Sequence, residues 1–217
     1  SILNHPKTKK PVIFQISQKE RMAGISQMTR EGELPFPTLL PLEGEPVALL
    51  SNHEASKKFQ GLLLIEKIKR EYHLTEYSLN KKGDWEAKRE AIKDLKNEPR
   101  GLTLAYLEKN EPFLILLGQR EASRFFKRGE NGWEETAKDA ALRKTLLFDL
   151  SSDRINFADM DNDGVDELYI ADTGFLRKIS YDSEKDDFII IEQFNTPKRK
   201  QDAHLPIPYN RGDAGGL

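Results

Sequence analysis

The chain has 217 residues, enough for one substantial domain or two small ones. Its 34 Lys+Arg nearly cancel 36 Asp+Glu, leaving no basic excess to hold a nucleic-acid backbone. It has no cysteine, which excludes disulfides, thiolate metal sites and cysteine catalysis. No apolar run approaches the ~18 residues of a membrane span, so neither nucleic acid nor membrane insertion is expected. The N-terminal SILNHPKTKK has neither an initiator Met nor the apolar core of a signal peptide, so a mature, cut or excised piece is expected.

Taken in chain order, apolar strands are predicted at PVIFQIS, GLLLIEKI, PFLILLG and ELYIAD. Each is followed by a hairpin of similar character: AGISQMTREGELPFPT, HLTEYSLNKKGDWEAK, SRFFKRGENGWEET and LRKISYDSEKDDFIII. The aromatics that open the last strand of each hairpin, Phe36, Trp85, Trp133 and Phe188, are spaced by 49, 48 and 55 residues. This period is slightly longer than the ~40–45 residues of a WD blade. In front of three of the apolar strands lies a further one, VALLS, LTLAYL and RINFAD, which makes four strands per unit.

The expected fold is therefore all-β: a β-propeller of four-stranded antiparallel blades, about four in this chain. A single domain over 1–217 has blades at about 11–42, 46–92, 100–138 and 153–195. Blade one begins at its second strand. Residues 196–217 are then either a closing strand beside PVIFQIS or the start of the next blade of a larger propeller. A competing α+β fold would make long core helices of EAKREAIKDLK (86–96) and EETAKDAALRKTLLF (134–148), which are rich in helix formers.

The stretch with chemistry is DMDNDGVDE, residues 159–167, which carries five acids in nine positions. Asp159, Asp161 and Asp163 alternate, so their carboxylates converge and repel unless a hard divalent cation joins them. Gly164 allows the turn that brings the carbonyl of Val165 round, and Glu167 supplies a further carboxylate. The oxygen-only set favours calcium over zinc. An EF-hand is excluded, because its position 12 would be Ile170 and a strand follows the loop.

A DxDxDGxx[DE] loop that runs straight into LYIAD resembles the FG-GAP/VCBS repeats of integrin-alpha-like β-propellers, over about residues 153–195. The resemblance implies a calcium ion on Asp159, Asp161, Asp163, Val165 and Glu167. The matching loops NHEASKKFQ and EKNE cannot complete such a shell, so one site is expected. It further implies a non-catalytic binding or scaffold module of an extracytoplasmic protein. Its partner would be a protein or carbohydrate, together with further propeller blades or another chain. The alternative is an accessory segment of a larger polysaccharide-active or redox enzyme.

No catalytic group stands out. The histidines at 5, 53, 73 and 204 have no zinc spacing, and there is no GxSxG, GxxxxGK[ST] or GxGxxG motif. Asp186 with Asp187 belongs to a hairpin turn, and Glu134 with Glu135 to an outer strand or helix. Trp85 and Trp133 are packing residues or sugar platforms, and Arg211-Gly212-Asp213 is a turn or an integrin-type tripeptide.

Overall fold

The computed structural model describes residues 2–4, 11–51, 62–81 and 84–195. They form four antiparallel sheets of four strands each, every strand paired with its neighbour in sequence. Sheet 1 holds β1 (Ile2–Asn4), β2 (Pro11–Ser17), β3 (Met22–Gln27) and β4 (Thr38–Leu39). Sheet 2 holds β5 (Glu45–Ser51), β6 (Leu62–Ile68), β7 (Glu71–Leu79) and β8 (Trp85–Ala91). Sheet 3 holds β9 (Gly101–Glu108), β10 (Glu111–Leu117), β11 (Arg124–Arg128) and β12 (Trp133–Thr136). Sheet 4 holds β13 (Ile155–Ala158), β14 (Glu167–Asp172), β15 (Phe175–Asp182) and β16 (Asp187–Asn195).

The second strand of each sheet explains how the sheets stack. On β6, Leu62 and Leu64 face sheet 1 while Leu63 and Ile65 face sheet 3. On β10, Leu114 and Leu116 face sheet 2 while Phe113, Ile115 and Leu117 face sheet 4. All these side chains are buried, which is why β6 and β10 read as continuous apolar runs rather than alternating ones. Each fully buried side chain of this kind contributes about 1.5–3 kcal/mol. Sheets 1 to 4 therefore pack face to face in chain order. Among the described residues no core cluster joins sheet 4 to sheet 1.

Two expectations are corrected and the competing α+β fold is excluded. Sheet 1 does not begin at its second strand, because Ile2–Asn4 pairs with Pro11–Ile13 as a first strand. The flank of β2 considered for a closing strand is thus partly taken, and residues 196–217 lie outside the described residues. Phe36 does not open a strand. It precedes β4 and is 86% exposed, since Pro35 and Pro37 remove backbone donors and delay the ladder to Thr38. Trp85 and Trp133 do open β8 and β12, and Phe188 is the second residue of β16. The rival core helices are absent: 85–91 and 133–136 are strands, and the only helical turn described is a 3-10 turn, η1 (Ala141–Lys144). Tertiary pairing overrides their helix propensity.

Carboxylates tie the connections to the sheets. Glu121 accepts the Asn97 amide at 3.0 Å, which fixes the segment entering sheet 3. Glu135 on β12 is gripped by Arg124 from β11 and Arg143 from η1. Burial pushes its carboxyl up, but the two guanidiniums more than offset that and hold it below the usual carboxylate range. A depressed carboxylate stabilises the fold fully above its unfolded pKa, and that contribution is lost as pH falls through the folded value. The melting temperature is thus expected to fall on acidification below about pH 4. Glu135→Gln lacks this component, so its deficit relative to the parent chain should shrink in acid. A deficit unchanged between neutral pH and about pH 3 would remove Glu135 from the explanation.

Candidate metal centre

The loop at 159–167 joins β13 to β14, and its ends are fixed by the pairs Ala158 with Glu167 and Phe157 with Leu168. Asn162 (φ 61°) and Gly164 (φ 89°) both take the left-handed conformation that asparagine and glycine tolerate, which turns the chain sharply. The turn brings one carboxylate oxygen from each of Asp159, Asp161 and Asp163 within 4.8 Å of one another. Asp159 is half-buried, and Asp161 and Asp163 are exposed.

Loop amides hold these carboxylates in place. The Asp163 N–H donates to Asp159 Oδ1 at 3.1 Å and to Asp161 Oδ1 at 3.3 Å. The Gly164 N–H donates to Asp159 Oδ2 at 2.9 Å, and the Val165 N–H to Asp163 Oδ1 at 2.8 Å. A carboxylate oxygen keeps lone pairs free after accepting one such bond. The donor set is oxygen throughout and carries three formal negative charges in close proximity, which fits a hard divalent cation such as calcium.

Glu167 stands beside this group and is not one of the three. Its carboxylate, on a residue 8% exposed, is paired with Lys178 Nζ of β15 and accepts the Tyr169 hydroxyl at 3.3 Å. The hydrogen bond that Lys178 donates to Glu167 is the main cause that raises the Lys178 pKa. Tyr169 is raised by burial first and by the Glu167 charge second. Val165 sits between the three aspartates and Glu167, with its amide already used by Asp163.

Asp166, the acid of the stretch with no expected ligand role, makes the loop's link to sheet 3. Its N–H donates to the Tyr106 carbonyl of β9 at 2.6 Å, and its Oδ2 accepts the Tyr106 N–H at 2.6 Å. Across the loop, an ideal Cβ built on Gly164 would lie 3.9 Å from the Lys109 side chain, so the β9–β10 turn borders the site. The sequence signal for Asp166 is only that it breaks the alternation of the other acids. Its partner lies 60 residues away.

The other candidates resolve into packing. Trp85 meets the Phe14 ring edge-on at 5.7 Å, and Trp133 is 8% exposed beneath the Arg128 guanidinium. Trp133 forms part of the floor of a groove of about 690 Å³ between sheets 2 and 3, with Leu74 and Phe126. Asp186 accepts the Tyr181 hydroxyl at 2.6 Å and the Ala137 amide at 2.8 Å, tying the β15–β16 turn to the end of sheet 3. His73 lies 3.8 Å from Glu71 on β7. His5, His53, His204, the NHEASKKFQ loop and Arg211-Gly212-Asp213 lie outside the described residues. Among the described residues no helix is long and apolar enough to cross a membrane.

No protein-family profile matches this chain, and no curated protein matches it.

Proposed function

We propose that this chain is a calcium-stabilised β-propeller module of the FG-GAP/VCBS type, serving a non-catalytic binding or scaffold role outside the cytoplasm. The observation that carries the reading is the convergence of Asp159, Asp161 and Asp163 at the head of an apolar strand, within a series of face-to-face four-stranded sheets. Asp159, Asp161 and Asp163 hold the ion, with the Val165 carbonyl and Glu167 as further oxygen donors from the sequence pattern. The ion offsets part of the carboxylate charge and bridges the three groups, which lowers the repulsion that opposes the β13–β14 register. The tolerance of an extracellular module for weak affinity, about 0.1–1 mM, matches so exposed a site. Its partner is a protein or a carbohydrate, held on the scaffold that the sheets provide.

The test is a thermal melt of the parent chain and of Asp161→Ala, each with millimolar calcium and with chelator. At about 10 mM calcium, a 10- to 100-fold excess over that Kd, an ion that binds only the folded chain contributes about 1.4–2.7 kcal/mol, or about 3–11 °C for a chain of this size. Chelation should remove that from the parent, while the variant starts low and barely responds. A parent chain that melts identically with and without calcium, and gives no calorimetric binding, reduces the loop to an acidic turn.

A further inference from the structure

We infer that Asp166 transmits the ordering of the 159–167 loop into the interface between sheets 3 and 4, so that calcium stabilises the contact between two sheets and not only one turn. The inference rests on the reading of this loop as a calcium site. Asp166 uses its backbone and its side chain on the same residue of β9: the N–H to the Tyr106 carbonyl and Oδ2 from the Tyr106 N–H, both at 2.6 Å. This two-point clasp closes a ring like that of a β-bridge, with a carboxylate in place of one peptide carbonyl.

The clasp lies where it can matter. Ala105 and Leu107, on either side of Tyr106, are 1% and 2% exposed and belong to the core shared by sheets 3 and 4, with Phe113, Leu168 and Ile179. Fixing the Tyr106 backbone therefore fixes two core side chains of that interface. On the loop side, Asp166 lies between two anchored residues. Val165 is held by its N–H to Asp163 Oδ1, and Glu167 pairs with Ala158 as the first residue of β14. Whatever orders Asp163 orders Val165, and so aims Asp166.

The energetics follow from chain entropy. Fixing each loop residue costs conformational entropy, and a loop of mutually repelling carboxylates resists ordering further. A cation that orders the loop removes that cost from the clasp, which strengthens it. Linkage makes the effect reciprocal: the closed clasp strengthens cation binding by the same factor. Asp166 is a positioning residue here and touches no ion.

Amide hydrogen exchange at Tyr106 reads the clasp directly, measured on the full chain with calcium and with chelator, alongside calorimetric calcium binding. Calcium should slow Tyr106 exchange by about tenfold or more in the parent chain. Asp166→Asn keeps an acceptor oxygen while removing the charge, so it should retain the slowing. Asp166→Ala should still bind one calcium ion, more weakly, with no calcium-dependent change at Tyr106. Calcium binding with unaltered Tyr106 exchange in the parent chain, or full slowing in Asp166→Ala, overturns the inference and leaves the metal reading intact. Absence of calcium binding in the parent chain overturns both, and calorimetry tells the two failures apart. If Asp166→Ala does not fold, the parent and Asp166→Asn decide: slowing confined to Tyr106 and its neighbours in both supports the clasp, and equal slowing at Leu64 of sheet 2 refutes it.

Discussion

Glu66→Ala should lower the melting temperature by roughly 6–20 °C, the equivalent of the ~3–5 kcal/mol that follows when one member of a buried ion pair is removed. Glu66 is 0% exposed, and both carboxylate oxygens are in use. Oε1 accepts the Thr75 hydroxyl at 2.6 Å and the Tyr77 hydroxyl at 3.4 Å, and lies 3.3 Å from Arg89 Nε. Oε2 accepts the amides of Glu43 and Gly44 at 2.9 and 3.1 Å. Residues 41–44 are the connection from sheet 1 to sheet 2, so this one carboxylate pins a linker to the centre of the next sheet. Arg89 and Tyr77 reach the same linker at the Pro41 carbonyl, at 2.6 and 3.0 Å. Gly44 can lie there because any Cβ would come within 2.4 Å of the Lys67 carbonyl. Burial, then the Glu66 charge, pushes the Tyr77 hydroxyl well above its usual range, so Tyr77 remains a donor at every working pH. Alanine would leave Arg89 Nε and the two linker amides without the Glu66 carboxylate, while the rest of the Arg89 guanidinium keeps Glu43 and the Pro41 carbonyl. Glu66→Gln keeps the volume and should recover part of the loss. A melting temperature within about 2 °C of the parent for Glu66→Ala would show that water replaces the carboxylate freely.

Phe125→Ala should cost about 3–5 kcal/mol, the usual range for emptying a buried aromatic site. Phe125 is 0% exposed, and its ring lies 4.6 Å from that of Phe188, which in turn lies 5.4 Å from Tyr181. These rings come from β11, β16 and β15, so the cavity would open in the core shared by sheets 3 and 4. Sheet 4 meets the other described sheets mainly through that core. Its residues 155–195 should therefore become the first protease-sensitive part of the variant, before sheets 1 and 2 lose structure. Cleavage beginning instead in sheet 1 would mean that the sheets unfold as one unit and that the 3–4 interface is not the weak point.

The period of the sequence determined every described strand except β1, and the order of pairing. Alternating and continuous apolar runs have different physical causes, one buried face or two, and both survive any detail of packing. The DxDxDG spacing likewise determined that three aspartates converge, because alternation and a glycine turn act within six residues. Tertiary structure decided the rest. Whether 86–96 and 134–148 became helices depended on partners for β8 and β12, since propensity of a few tenths of a kcal/mol per residue yields to a ladder and a buried face. Ile2–Asn4 became a first strand only because β2 offered an unpaired edge to three residues too short to declare themselves. The position of Phe36 turned on its two proline neighbours, which the repeat spacing ignores. Glu167 met Lys178 across β14 and β15, and Asp166 met Tyr106 across two sheets. Such pairings join residues 11 and 60 positions apart, and local spacing carries no trace of them because only the folded chain brings the two ends together.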